Sequence, residues 1–422
     1  SDSPFDDPAG FVFGDSGDQN VIKCGSYEGN NADDGAEVYL GWEPSLLLIK
    51  SAGTADNWCM FDNLRGLNVD GVNDEALFPN TSDSEAAGNY LTPTPTGFKL
   101  TTTSDRVNNN STYIYMAIRR PDGYVGKPPE LGTGVFAMDT SSASSVIPTF
   151  DSTFPVDFGL KRKTASTDHW LAGYRLLGQK SLSPDRTNSE TDSGASLCWD
   201  SNLGFGKTFG TANQGWMWKR HAGFDVVTYI GNGSSTGDTQ KIPHGLNQIP
   251  EMVWIKNRGS ATDWGVYHKD MHSSIPEKYY MKLNSNAARA YEDQTFDSPT
   301  ATHFNLRHNS LVNGNNANFT MMLFSSVSGI SKVGTYSGSG STGNAQNIGF
   351  QPRFLMIKRI NSTGDWMQFN SVGGFGNYMQ VNTTQQQNSQ TYVSVSSTGF
   401  SLVSDYGDTN ESGSSYVYYA HA

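Results

Sequence analysis

The chain is short of most features that would announce a membrane, a redox framework or a nucleic-acid partner. No run of about 18 apolar residues is present to span a bilayer. Its three cysteines, Cys24, Cys59 and Cys198, are an odd number scattered over a long chain. They make no disulfide framework, and read as small buried apolar side chains in a protein folded in a reducing cytoplasm. Positive charge is scarce: 29 Lys and Arg stand against 41 Asp and Glu, a formal net charge of −12. The resulting field repels phosphate backbones and anionic membranes, which argues against nucleic acid as a partner. No stretch carries sustained helical periodicity, and a single turn over Asn284 to Tyr291 is the most that the pattern predicts. Residues 1–20 have neither the basic start nor the apolar run of a signal peptide and open without Met. They read as a linker or attachment segment with more chain expected upstream.

Glycine, by contrast, is plentiful, with 45 residues, and aromatics make up 12% of the chain. Together with abundant Ser, Thr and Asn, this is the composition of short strands joined by many turns. The length calls for several domains rather than one core.

Internal repetition supplies the divisions. Pro44, Pro155, Pro250 and Pro352 each precede an apolar run that ends in lysine, as in "PSLLLIK" and "PEMVWIK". Trp58, Trp170, Trp264 and Trp366 follow 14 or 15 residues later, each next to or near an acid, as in "TDWGVY" and "GDWMQF". The proline-to-proline period is roughly 95 to 110 residues, the size of a whole sandwich domain and too long for a solenoid unit. A Tyr-x-Gly signature, read as a hairpin, stands ahead of three of the prolines at Tyr27, Tyr229 and Tyr336. Each copy closes on two strands such as "GFSLVSDY" and "YVYYAHA", separated by Asn/Gly/Ser clusters at hairpin distance. The second copy carries a shortened version. Each copy can own a core.

The predicted fold is all-β, four tandem antiparallel sandwiches of jelly-roll type. Residues 1–20 form the linker, and the repeats cover 21–121, 122–222 (shortened), 223–329 and 330–422. The prolines suit strand entries. In "TGDWMQF" the acid is expected to accept backbone N–H groups at a turn, and the tryptophan to plug the sandwich core. These eight residues are structural anchors, since an active site would not recur at one place in four diverged modules.

Few motifs in the chain carry chemistry. "GFGKTFG" at Gly204 lacks the earlier glycine of a phosphate loop, with Ser201 in its place. His268 and His272 have a metal-ligand spacing but no third ligand nearby, and exposed loop histidines are the better reading. No catalytic residue and no cofactor is predicted. A divalent cation enters only as a bridge between the acidic surface and an acidic glycan.

At "KCGSYEGNN", "GWEPSLLLIK", "DNWCMFDNLRG" and "STYIYMAIRR", and again at "LNQIPEMVWIKNRGSATDWGVYH" and "GFQPRFLMIKRINSTGDWMQF", the chain resembles tandem-repeat proteins of tailed bacteriophages, many of them marine or cyanobacterial. The resemblance runs from about Val21 to Ala422. Those proteins are labelled tail fibre or virion structural protein. It implies a non-enzymatic virion surface protein, assembled in the host cytoplasm and contacting the host surface. Its partners would be other virion proteins and a host glycan or protein, with no membrane insertion. The alternatives are a capsid decoration or adaptor protein without a receptor and, further off, a glycan depolymerase built on paired carboxylates. A homo-oligomer is expected, and no heptad or triple-helix repeat is there to drive it, so sandwich faces or an upstream segment must. Loops after the tryptophans vary in length and are where binding is expected.

Overall fold

The computed structural model describes residues 20–69, 74–141, 147–234 and 238–422. The segment 1–19, read from sequence as a linker, lies outside them. The fold is all-β and antiparallel throughout. No helix among the described residues is long and apolar enough to cross a membrane. Among the described residues the one α-helical turn is Ser310–Asn313, and Asn284 to Tyr291 is not helical, against expectation. Asn284 instead bonds the Trp264 backbone, and the segment ends in a short strand, Ala290–Tyr291.

Four main sheets share one strand order. In the first repeat Ile22–Glu28 pairs with Thr112–Arg119, which pairs with Pro44–Ser51, which pairs with Cys59–Asp62. The same order recurs in Phe136–Thr140, Asn213–Trp218, Phe158–Lys163 and Leu171–Tyr174. It recurs again from Phe224–Ile230 and from Ser331–Ser337, each time extended by two more strands. Opposite three of these sheets lies a three-stranded one, such as Glu37–Tyr39, Gly97–Leu100 and Leu91–Thr94. In the second repeat it shrinks to two short strands, Phe150–Asp151 and Gly204–Phe205, which follows from its shortened closing sequence. Four buried clusters fill the four sandwiches, centred on residues such as Phe98, Phe205, Phe304 and Phe400.

Two hairpin expectations are corrected. The closing strands of each repeat do not pair with one another. Gly399–Leu402 belongs to the small sheet and Ser415–His421 to the large one, so the Asn-rich segment between them crosses from sheet to sheet. The crossing is pinned by a buried asparagine, Asn108, Asn313 or Asn410, whose side-chain oxygen accepts the N–H of Asn30, Asn232 or Ser339. The Tyr-x-Gly element is also no hairpin: it is the end of the repeat's first strand, paired with its last. A Cβ on Gly29, Gly231 or Gly338 would lie within about 2.2 Å of a carbonyl oxygen of the crossing segment, so only glycine allows that approach. The tyrosine before it donates to the crossing segment, Tyr27 Oη to Val107 O at 2.7 Å, Tyr229 to Val312 at 2.6 Å and Tyr336 to Thr409 at 2.6 Å.

The chain forms two compact units. One is Ser1–Lys127 with Arg175–Gly178, holding the first repeat; the other is Pro128–Tyr174 with Gln179–Ala422, holding the other three.

Within the second unit the three repeats close on one another in a ring. Trp366 Nε1 donates to Lys282 O, Trp264 Nε1 to Ser183 O and Trp170 Nε1 to Gln380 O, each at 3.0 Å. The three acceptors are equivalent positions. The cation at the end of each apolar run does the same: Lys358 Nζ reaches Asn286 O, Lys256 Nζ reaches Thr187 O, and Arg162 reaches Thr384 O and Gln385 O. A backbone bond completes each contact, from Arg289, Glu190 or Gln387 N–H to Ile360, Arg258 or Thr164 O. Where the outer sheet faces meet, Trp218, Phe324 and His421 occupy one ladder position, among them Trp218 edge-on to Phe354 with centroids 5.7 Å apart.

Candidate functional site

The residues singled out by repetition are spent on the scaffold. Each tryptophan's backbone N–H is capped by a side chain from the turn after the second strand downstream: Asn80, Asp185, Asn284 or Asn382, at 2.8 to 3.1 Å. The acid beside the tryptophan then holds that cap. Asp263 and Asp365 each accept the cap's amide at 2.8 Å, and Asn57 does so in the first repeat. In the second repeat the roles are exchanged, with His169 Nδ1 2.5 Å from the Asp185 carboxylate. The acid therefore accepts a side-chain amide rather than the turn amides expected from sequence. Trp170, Trp264 and Trp366 are about 1% exposed, and they anchor repeat to repeat instead of plugging their own sandwich. Trp58 is half-buried. Pro44 opens its strand, whereas Pro155, Pro250 and Pro352 precede theirs by two or three residues.

His268 and His272 stand in different surroundings. His268 is fully buried, its Nδ1 accepts the Asp270 N–H at 3.1 Å, and burial pushes its pKa down to about 4. His272 accepts from Ser274 and Ile275 N–H and stacks on Tyr279. Among the described residues no group of three or more His, Cys, Asp or Glu is placed to hold a metal. Of the cysteines, Cys59 is buried as expected, but Cys24 is exposed, because its strand lies on an uncovered sheet face.

What differs between repeats is the crossing loop that leads to the buried asparagine. In the first repeat Arg106 lies over the Phe78 ring and donates to Tyr90 Oη at 2.9 Å. In the third, Asn309 Nδ2 donates to Thr295 Oγ1 at 2.8 Å, beside an open recess of about 490 Å³ lined by Glu292, Gln294, His308 and Asn313 among others. In the fourth, the position of Asn309 is Tyr406 and that of Thr295 is Tyr392. Their rings stack face to face with centroids 4.1 Å apart, and Tyr378 joins them at 5.3 Å from Tyr392. All three tyrosines are half-buried. Tyr406 Oη donates to Asp408 Oδ2 at 3.0 Å, and burial, with Asp365 nearby, raises the Asp408 pKa while Lys358 opposes it. The site thus offers a partly exposed aromatic ladder flanked by a carboxyl that can accept hydroxyl protons. Sequence reasoning placed binding in the loops after the tryptophans and missed this place, because the crossing segment was read as a hairpin tip.

A family model described as a domain of unknown function (DUF7483) matches residues 17–120 and 163–422. The chain belongs to that family. The match covers the first repeat and most of the ring, and leaves out residues 121–162, the start of the second repeat with Pro155 and Arg162. No curated protein matches the chain.

Proposed function

We propose that this protein is a non-enzymatic surface protein of a tailed-phage virion, a fibre or appendage that contacts the host surface and binds carbohydrate there. The observation that carries the reading is the tyrosine ladder of the last repeat. Aromatic faces with a carboxyl at their edge suit a sugar ring, which presents C–H groups on one face and hydroxyls at its rim. The framework around it is constant from repeat to repeat while this position changes, as expected where a rigid scaffold presents variable contacts. The repeat resemblance to phage tail-fibre proteins supports the virion setting. Weak single-site contacts become strong when several copies act together.

The test is a glycan array probed with the purified chain, followed by binding to host cells. Wild type is expected to bind a defined glycan class, and Tyr392→Ala with Tyr406→Ala to lose at least about tenfold in affinity, the loss of one to two stacking contacts. Unaltered binding by the double variant, or a virion map placing the chain flat on the capsid with this loop covered, would overturn the reading.

A further inference from the structure

The first repeat carries the same interlocking face as the three repeats of the ring, and none of the described residues of its own unit completes it. Its outer sheet face aligns position by position with theirs. Leu46, Leu48 and Lys50 correspond to Phe354, Met356 and Lys358, and Met116 and Ile118 to Tyr419 and His421. In the ring those positions are buried; in the first repeat they are half-buried, with Ile22 57% and Ile114 43% exposed on the same face. An apolar sheet face of this extent marks an interaction surface.

Both halves of each ring contact are also present. Trp58 has the same backbone cap as its sisters, but its indole N–H has no acceptor among the described residues. The matching acceptor, Phe78 O, takes only the local bonds from Thr81, as Ser183 O takes Arg186 N–H besides Trp264. Lys50 Nζ keeps its own-repeat partners, Ser51 O and Thr54 O. Lys256 has the matching pair, Asn257 O and Ser260 O, and adds Thr187 O from its neighbour. The third contact would run from Glu85 N–H to Ala52 O, both on exposed residues.

We propose that the first repeat docks with the first repeats of two further copies of this chain, making a threefold ring of the kind the other three repeats make within one chain. In it Trp58 donates to Phe78 O of the next copy, Lys50 to Ser82 O and Glu85 N–H to Ala52 O. A donor face and an acceptor face that differ form a head-to-tail contact, which closes only at the number its geometry dictates, and the internal ring sets that number at three. The inference is independent of what the protein binds.

Native mass spectrometry and sedimentation of the full chain at about 10 µM, a concentration at which a contact with micromolar Kd assembles, test it. The expected particle is three times the 45.9 kDa chain. Met116→Glu, which puts a charge in the centre of the face, is expected to leave a monomer with unchanged circular dichroism. Glu85→Pro removes one N–H and the surface ion pair to Arg65 without touching any core, and is expected to weaken assembly at least about tenfold. A monomer or dimer at that concentration, or a trimer indifferent to both variants, overturns the proposal.

Discussion

The first repeat and the third are built on one plan, and they differ in what their outer sheet face meets. In both, a tyrosine stacks on the aromatic of the paired strand, Tyr27 on Tyr113 and Tyr229 on Phe319, each with centroids 5.2 Å apart. In both, a buried asparagine ties the crossing loop. Yet Trp58 is half-buried where Trp264 is 1% exposed, and Lys50 is half-buried where Lys256 is fully buried. The inner framework makes a sandwich; the outer face makes an assembly. The second is an addition to the first, and the two can be broken separately.

Acid should separate the two units most. All eight histidines of the chain, His169 onward, lie in the unit that holds the ring. Burial pushes His221, His244 and His268 down to about 4. Their folded pKa lies below the unfolded one, so the unfolded state binds more protons between pH 6.5 and 4 and stability falls as the pH drops through that window. Each contributes a loss on the order of 3 kcal/mol at the bottom of it. Hydrogen exchange from pH 7 to 4 is expected to show the ring opening while the first repeat, which has no histidine, keeps its protection over the histidine range. Loss in the reverse order would contradict the buried, neutral assignment.

Next in size is the tryptophan contrast. On the Met116→Glu background, Trp366→Ala is expected to cost about 3 to 5 kcal/mol in urea unfolding, the usual cost of emptying a buried aromatic site. Trp58→Ala should cost less, about 1 to 2 kcal/mol, since part of its surface is already in water. Equal costs would mean that the outer face stabilises both units alike.

Much of this contrast was half legible in the sequence. The runs "LLLIK", "MVWIK" and "FLMIK" are apolar at successive positions, which is the pattern of a strand buried on both faces. One of those faces is the repeat's own core, and the other is where the repeats meet. The partner could not be read, because the residues at the meeting point, Trp218, Phe324 and His421, share a ladder position but differ in residue type, so no repeated letter marks it. Alternation and turn residues located the strands well. They misled at the Asn-rich segments, since a crossing between sheets and a hairpin use the same turn residues and differ only in which strands they join. The tyrosine ladder was hidden for a related reason: Tyr378, Tyr392 and Tyr406 come from three separated segments, and no spacing rule brings them together.

The smallest effect gives the strictest check, because the comparison requires it to be the same on both sides. Tyr27 and Tyr336 each donate one hydrogen bond to the crossing segment, at 2.7 and 2.6 Å, and each stacks on a tyrosine at 5.2 or 5.0 Å. Phenylalanine keeps the ring and its stacking and removes only the hydroxyl, leaving one carbonyl short of a donor. Tyr27→Phe and Tyr336→Phe are therefore each expected to cost about 1 kcal/mol, the net worth of such a bond, measured as local exchange in the strand ends around Gly29 and Gly338. If the two agree within a few tenths of a kcal/mol, the inner framework is a self-sufficient unit of stability that does not sense the ring. A markedly larger cost at Tyr336 would mean that the ring tightens the sandwiches within it, and that the outer face and the inner framework are coupled.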